Sequence, residues 1–164
     1  MNRRLSILLI LVLASTVAAC RQADGPLPQQ QADTDNRIGD ISRDLLSVAK
    51  GEASGTQDFV DDVKAFADNP RIATAADRMA RKMADAVKGR TLTEQSARQL
   101  GHSSWTIVMA NELSAKQYET IREDVRTQLT GLGVQAPVLD GVIAEVEATQ
   151  QVVSTRPKRW YEVF

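Results

Sequence analysis

The chain has 164 residues, of which 43% are apolar and 25% charged, and its formal net charge is -1. This length suits one ordinary domain. The near-neutral balance argues against a nucleic-acid-binding protein, which would need a strongly basic face. The sequence holds one cysteine and one histidine, which excludes a disulfide framework and most zinc or iron–sulfur sites. We therefore expect neither a metal nor a cofactor.

The N-terminal segment has the pattern of an export signal. Arg3 and Arg4 give it a basic start, residues 5–13 are apolar apart from Ser6, and small residues follow. The apolar run is shorter than the roughly 18–20 residues that a membrane-spanning helix needs. We therefore predict a signal peptide over residues 1–19.

The end of this signal, Val17-Ala18-Ala19-Cys20, resembles the lipobox of bacterial lipoproteins: an aliphatic residue, two small residues and a cysteine. The resemblance implies that the thiol of Cys20 receives a diacylglycerol, that the chain is cut before this residue, and that the new amino terminus is often acylated too, as with palmitate. Two or more acyl chains hold a protein durably at a membrane, at about 0.8 kcal/mol per buried methylene. The alternative is an ordinary signal peptide cut after Ala19.

The residue after the cysteine bears on the destination of such a protein. Gram-negative lipoproteins retained in the inner membrane commonly carry aspartate there, whereas this chain has Arg21. The resemblance therefore favours the outer membrane, with the body facing the periplasm.

The segment after the cysteine has a different composition. Residues 21–36 are rich in glutamine and contain only three apolar residues. Such a segment buries too little surface to offset the entropy of ordering it. We predict that residues 20–36 are the lipidated cysteine and a disordered tether. A helical domain is expected over residues 37–155, with a basic and aromatic tail over residues 156–164.

From Arg37 onwards apolar residues recur at intervals of three and four, which is typical of amphipathic helices, and no segment alternates as a strand does. Helices are expected over about 36–50, 56–69, 70–89, 92–111, 115–131 and 137–155. The joints between them are short, which favours antiparallel neighbours. The sequence therefore predicts an all-α bundle of about five to six amphipathic helices in antiparallel hairpins.

Several residues are expected to begin these helices. Asn69 is a good N-cap before a proline, and Ser114 with a glutamine three residues later forms a capping box. Thr56 is expected to cap the second helix, and Thr91 the fourth. Gly101 lies within the fourth helix at a cost of about 1 kcal/mol relative to alanine. Either that helix bends there or a neighbouring backbone packs close.

The stretch of the chain most like an active site is Gly101-His102-Ser103-Ser104-Trp105. A serine hydrolase would need a glycine two residues after the nucleophile and a preceding strand. Here the residue two positions after Ser103 is Trp105, and the context is helical. Adjacent helical residues point about 100° apart, so His102 and Ser103 are not expected to face each other. A structural role is favoured, and His102 and Trp105 are kept as candidate binding residues.

Other chemistry-bearing residues have plain structural interpretations. Met79 and Met83 share a helix face and are expected to fill the core. Carboxylates such as Asp62 and Glu123 are expected on solvated helix faces.

The tail contains Trp160, Tyr161 and Phe164, which are costly to expose. They are expected to fold over an open end of the bundle, to contact a partner, or to reach lipid headgroups.

From these features we predict a bacterial lipoprotein, held at the membrane by acyl chains on Cys20, with a non-catalytic helical body that binds another component of the cell envelope. A protein is the favoured partner. In one alternative the body is an envelope enzyme or small-ligand binder, in which case His102 would line a concave pocket with a carboxylate in reach. In another it is an immunity or inhibitor lipoprotein against a toxin acting in the periplasm. Outside the lipobox the sequence carries no further family resemblance.

Overall fold

Six α-helices and no strand occur in the residues that the structure, a computed structural model, describes: 28–109 and 113–155. The helices pack antiparallel as a bundle, which confirms the predicted all-α fold. The compact unit that they build begins at Thr34. The helices are α1 (Pro28–Lys50), α2 (Gly55–Lys64), α3 (Pro70–Val87), α4 (Glu94–Met109), α5 (Ala115–Gly131) and α6 (Ala136–Ser154).

The core lies where the apolar stripes of the helices meet. The most extensive packing is between α3 and α6, while α2 lies against α3 and the last three helices pack on one another. The expectation that Met79 and Met83 fill the core is confirmed, and the residues of α3 at the same helical spacing are buried with them: Ile72, Ala76 and Ala86. The helix period therefore identified the buried face correctly.

Polar contacts fix the register of α6 on α3. Thr149 is fully buried, and its hydroxyl lies 3.2 Å from the carbonyl oxygen of Ala75 in α3 and 2.7 Å from that of Glu145. The carboxylate of Glu145 in turn accepts a hydrogen bond from Nε of Arg78 in α3 at 3.1 Å. A buried hydroxyl without a partner would cost about 1–3 kcal/mol, so these contacts favour this one alignment of the two helices.

Helix α1 begins at Pro28 rather than near Asn36. Residues 28–36, expected in the disordered tether, are therefore its first turns. Proline is favoured at the first position of a helix, and glutamine and alanine are good helix formers. These turns can extend a helix whose later turns are anchored by packing, such as that of the buried Ile38 and Ile41.

The predicted limits of the second helix are wrong at both ends. Helix α2 begins at Gly55, so Thr56 lies inside it instead of capping it, and it ends at Lys64 instead of Asn69. A Cβ atom on Gly55 would lie only 2.8 Å from the backbone nitrogen of Val48 in α1. The close approach of two backbones therefore determines where α2 starts, and a local pattern does not contain that information.

Among the other predicted caps, two are confirmed and one is wrong. The side chain of Asn69 accepts hydrogen bonds from two backbone N–H groups at the start of α3, and Ser114 forms its capping box with Gln117 at the start of α5. Thr91 is not the cap of α4, because Thr93 accepts the hydrogen bond from the backbone N–H of Ser96 at 3.1 Å. The two threonines stand in similar sequence surroundings, so the pattern alone did not distinguish them.

Gly101 allows α1 and α4 to come close together. A Cβ atom added to it would lie 3.0 Å from Oγ of Ser42 and 3.2 Å from Cγ2 of Ile41, both in α1. Of the two interpretations left open for this glycine, the structure shows the close neighbour. This contact sets the distance between α1 and α4.

Candidate functional site: a polar groove

A groove of about 370 Å³ lies along α4 and is lined by residues of α1, α4 and α5. Gln95, Arg98, Gln99 and His102 line it, and their spacing of three, one and three residues places them on one helix face. Ser103 also lines the groove and is buried. The exposed face of α4 therefore presents two amides, one guanidinium and one imidazole to the same space.

The other walls of the groove come from α1 and α5. Helix α1 contributes Asp35 and Ile38, and α5 contributes Asp124 and Gln128. Within each pair the residues are three or four positions apart, so both members lie on the side of their helix that faces α4. We call the space bounded by these residues and those of α4 the polar groove.

The charged side chains of the polar groove have no partner in the described parts of the chain. Within residues 28–109 and 113–155, Asp35, Arg98 and Asp124 form neither an ion pair nor a side-chain hydrogen bond. They are exposed, so water solvates them. Their charges therefore remain available to attract ligand groups of opposite charge.

His102, which lines the groove, also makes an aromatic contact with Trp105. The ring centroids of His102 and Trp105 are 6.0 Å apart and their planes are inclined by 46°, which is a usual separation for an aromatic pair. Trp105 is half-buried and packs against the core, whereas His102 is exposed. The tilted ring contact with Trp105 thus leaves His102 exposed to solvent.

The serines beside His102 have structural surroundings. Ser104 is fully buried, and its hydroxyl donates to the carbonyl oxygen of Leu100 at 2.9 Å, with the sulfur of Met83 3.3 Å away. Ser103 is buried while its neighbour His102 is exposed. In this part of the bundle the two side chains form no hydrogen bond with each other.

A second polar cluster lies between α1 and α2. Burial, together with the charge of Asp62 and a hydrogen bond to it, raises the pKa of Asp44 from 3.8 to about 7, and Asp58 and Asp40 contribute further repulsion. Asp62, expected on a solvated face, is thus half-buried against another carboxyl group. At neutral pH Asp44 is therefore about half protonated, and its protonated carboxyl group can donate a hydrogen bond to Asp62.

Neither feature suits a metal ion. In the described ranges, no group of three or more His, Cys, Asp or Glu side chains is arranged to hold one. The same parts of the chain contain no helix that is both long and apolar enough to cross a membrane.

Some of the predicted site residues lie within the described parts of the chain and others lie outside them. His102 lines the polar groove, whereas Trp105 contacts the ring of His102 without lining the groove itself. Cys20, Trp160, Tyr161 and Phe164 lie outside the described residues, and their predicted roles stay predictions.

Most residues that line the polar groove were not predicted from the sequence. Gln95, Arg98 and Gln99 have the spacing of an ordinary solvated helix face, and nothing in the pattern says that two other helices flank that face. The available signal was Gly101, since a glycine within a helix often marks the close approach of a neighbour. It stands next to His102, but it does not indicate which helix approaches.

In its described residues the chain is an all-α helical bundle with a polar groove along α4. Comparison with family models, with curated proteins and with solved structures gives no match for it.

Proposed function

We propose that the protein is a bacterial lipoprotein whose acylated Cys20 holds it at a membrane, and whose helical body is a non-catalytic module that binds another component of the cell envelope. The lipobox-like Val17-Ala18-Ala19-Cys20 supports the anchor. The binding function rests on one observation, the polar groove with its unpaired charged side chains. A folded domain with exposed charges gathered in a groove is well suited to recognise a polar partner.

A binding function fits the groove better than catalysis does. A nucleophile and its base must lie within hydrogen-bonding reach, with a third group to orient the base. In the described residues His102 donates to no carboxylate and forms no hydrogen bond with Ser103. Its contact is with Trp105 instead.

The anchor is tested by labelling cells with palmitate. The wild-type protein should incorporate the label and sediment with membranes, whereas Cys20→Ser should do neither, because the acylated sulfur is gone. Labelling of Cys20→Ser, or wild-type protein that washes off membranes, would contradict the anchor.

The binding function is tested by photo-crosslinking in cells. A photoreactive residue at Gln99, in the groove, should give a discrete crosslinked species that the same residue at Lys82, exposed on α3, does not give. If both positions give the same species, or neither gives one, the groove is not the contact surface.

The alternative of an envelope enzyme or small-ligand binder near residues 101–105 is favoured by one specific observation. His102 lines a concave space together with Asp35 and Asp124. Turnover of a defined substrate that is lost in His102→Ala would establish the enzyme. Binding that survives in this variant without turnover would favour the module.

A further inference from the structure

The polar groove has opposite charges on different walls. Arg98 projects from α4, whereas Asp124 belongs to α5 and Asp35 to α1. Arginine is always protonated and binds a carboxylate with two parallel hydrogen bonds. Carboxylates on the other walls attract an ammonium group. A ligand that satisfies all three therefore carries both a positive and a negative charge.

The amides of the groove indicate what joins those charges. Gln95, Gln99 and Gln128 line it, and each glutamine offers an acceptor oxygen and two donor hydrogens. A peptide bond presents the complementary pair, one N–H and one C=O. Three such side chains around one space suit a ligand with successive peptide groups.

The dimensions of the groove limit the length of this ligand. From Gln95 to His102 the axis of α4 rises about 10 Å, at 1.5 Å per residue. An extended peptide covers that distance with about three residues, at roughly 3.4 Å each. The volume of about 370 Å³ lies at the small end of ligand sites.

We propose that the polar groove binds a short peptide of two or three residues whose amino and carboxyl termini are both free. Arg98 binds the terminal carboxylate, Asp124 and Asp35 attract the terminal ammonium, and the glutamines hold the peptide groups between them. This inference deepens the proposed binding function and rests on it, since it names the ligand class of the same groove.

Two observations make this ligand more suitable than one with a single charge. Arg98 forms no ion pair with a carboxylate of the described chain, so a ligand carboxylate displaces none from it. The two carboxylates are likewise without a cation there, so a ligand with only a negative charge would face repulsion from both. A ligand with only a positive charge would leave Arg98 unsatisfied and repelled.

The test is calorimetric titration of the full mature protein, in detergent, with trialanine. We expect binding with a dissociation constant at or below about 1 mM. Capping either end, as the carboxyl-terminal amide or the N-acetyl form, should weaken it about tenfold or more, because each cap removes one charge-assisted contact. Equal binding of capped and free peptides, or no binding of trialanine at that concentration, would overturn the proposal.

Variants assign the charges. Arg98→Gln should weaken trialanine binding about tenfold and should also remove the preference for the free acid over the amide. Asp124→Asn should reduce the preference for the free amine. Arg71→Gln, on the exposed surface of α3, is the matched control and should change neither. Unfolding curves show that each variant is folded.

The two proposals fail in different ways. If trialanine does not bind but Gln99 still gives its specific crosslink in cells, the groove binds a partner and the ligand class is wrong. If the crosslink is also absent, the binding function itself is wrong. If Arg98→Gln changes affinity without changing the preference for the free acid, the arginine does not contact the carboxylate and the orientation proposed here is overturned.

Discussion

The charged residues of two regions, the surface around α3 and the polar groove along α4, differ in their partners. On α3, Asp77 accepts from Arg81 at 2.9 Å and lies 3.2 Å from Nζ of Lys64. Hydrogen bonds from these cations, that of Arg81 foremost, lower the pKa of Asp77 below 3.8. In the polar groove, Arg98 and Asp124 have no such partners in the described chain.

This difference separates charges that already have a partner from charges that can still acquire one. Exposed ion pairs contribute little to stability, about 0.2–1 kcal/mol each, so neither region holds the bundle together. The core does so through the burial of apolar side chains. The groove charges can therefore change without unfolding the protein, which makes a binding role experimentally separable from stability.

The largest expected effect contrasts the core with the groove. Met79 is fully buried in α3, and Met79→Ala should lower the free energy of unfolding by about 2–5 kcal/mol through the lost packing and the cavity left behind. Arg98→Gln should change it by less than about 0.5 kcal/mol. Urea unfolding measures both. A large loss in Arg98→Gln would mean that the groove is structural.

A smaller effect is expected where α1 meets α4. Gly101→Ala gains helix propensity of about 1 kcal/mol, but its Cβ atom would crowd Ser42 and the fully buried Ile41. Overpacking of a core costs about 1–3 kcal/mol, so we expect a net loss of about 1 kcal/mol and weaker trialanine binding as the wall of the groove moves.

The matched control for this substitution is in α6. Gly141 is a helical glycine with nothing within 4 Å of an added Cβ atom, so Gly141→Ala should stabilise the protein by up to about 1 kcal/mol. If the two substitutions change stability equally, the contact of α1 with Gly101 does not determine the distance between α1 and α4.

An effect of similar size, confined to the higher pH, concerns the pair of Asp44 and Asp62. The pKa of Asp44 rises from 3.8 to about 7 in the folded protein, so the folded state holds more protons than the unfolded state between these values. This contribution to stability is complete below pH 4, decreases as the pH rises toward 7 and is constant above that.

Asp44→Asn should remove this decrease. Because solvent screens a partly exposed pair, we expect a gain of about 1 kcal/mol at pH 8 and little change at pH 4. Asp77→Asn is a useful contrast, since the lowered pKa of Asp77 contributes stability that is present above pH 4 and is lost on acidification. Thermal unfolding at both pH values measures these differences, and a pH-independent gain in Asp44→Asn would contradict the raised pKa of Asp44.

Much of the bundle could be predicted because its information is local. The stripe containing Ile72 and Met79 follows the helix period, and the caps at Asn69 and Ser114 satisfy backbone groups within one turn of their own position. The start of α2 at Gly55 was predicted incorrectly because it depends on how closely the backbone of α1 approaches. The residue pattern around Gly55 does not specify that distance.

The sequence by itself determined the helical class, the buried face of α3 and the lipobox-like motif at Cys20, since each depends on residues a few positions apart. Only the tertiary structure decided that Asp35, Arg98 and Asp124 share one groove, and that Asp44 meets Asp62. The physical reason is that a helix period specifies which side chains turn inward. The packing of three helices, here dependent on the missing side chain of Gly101, specifies which outward side chains come together.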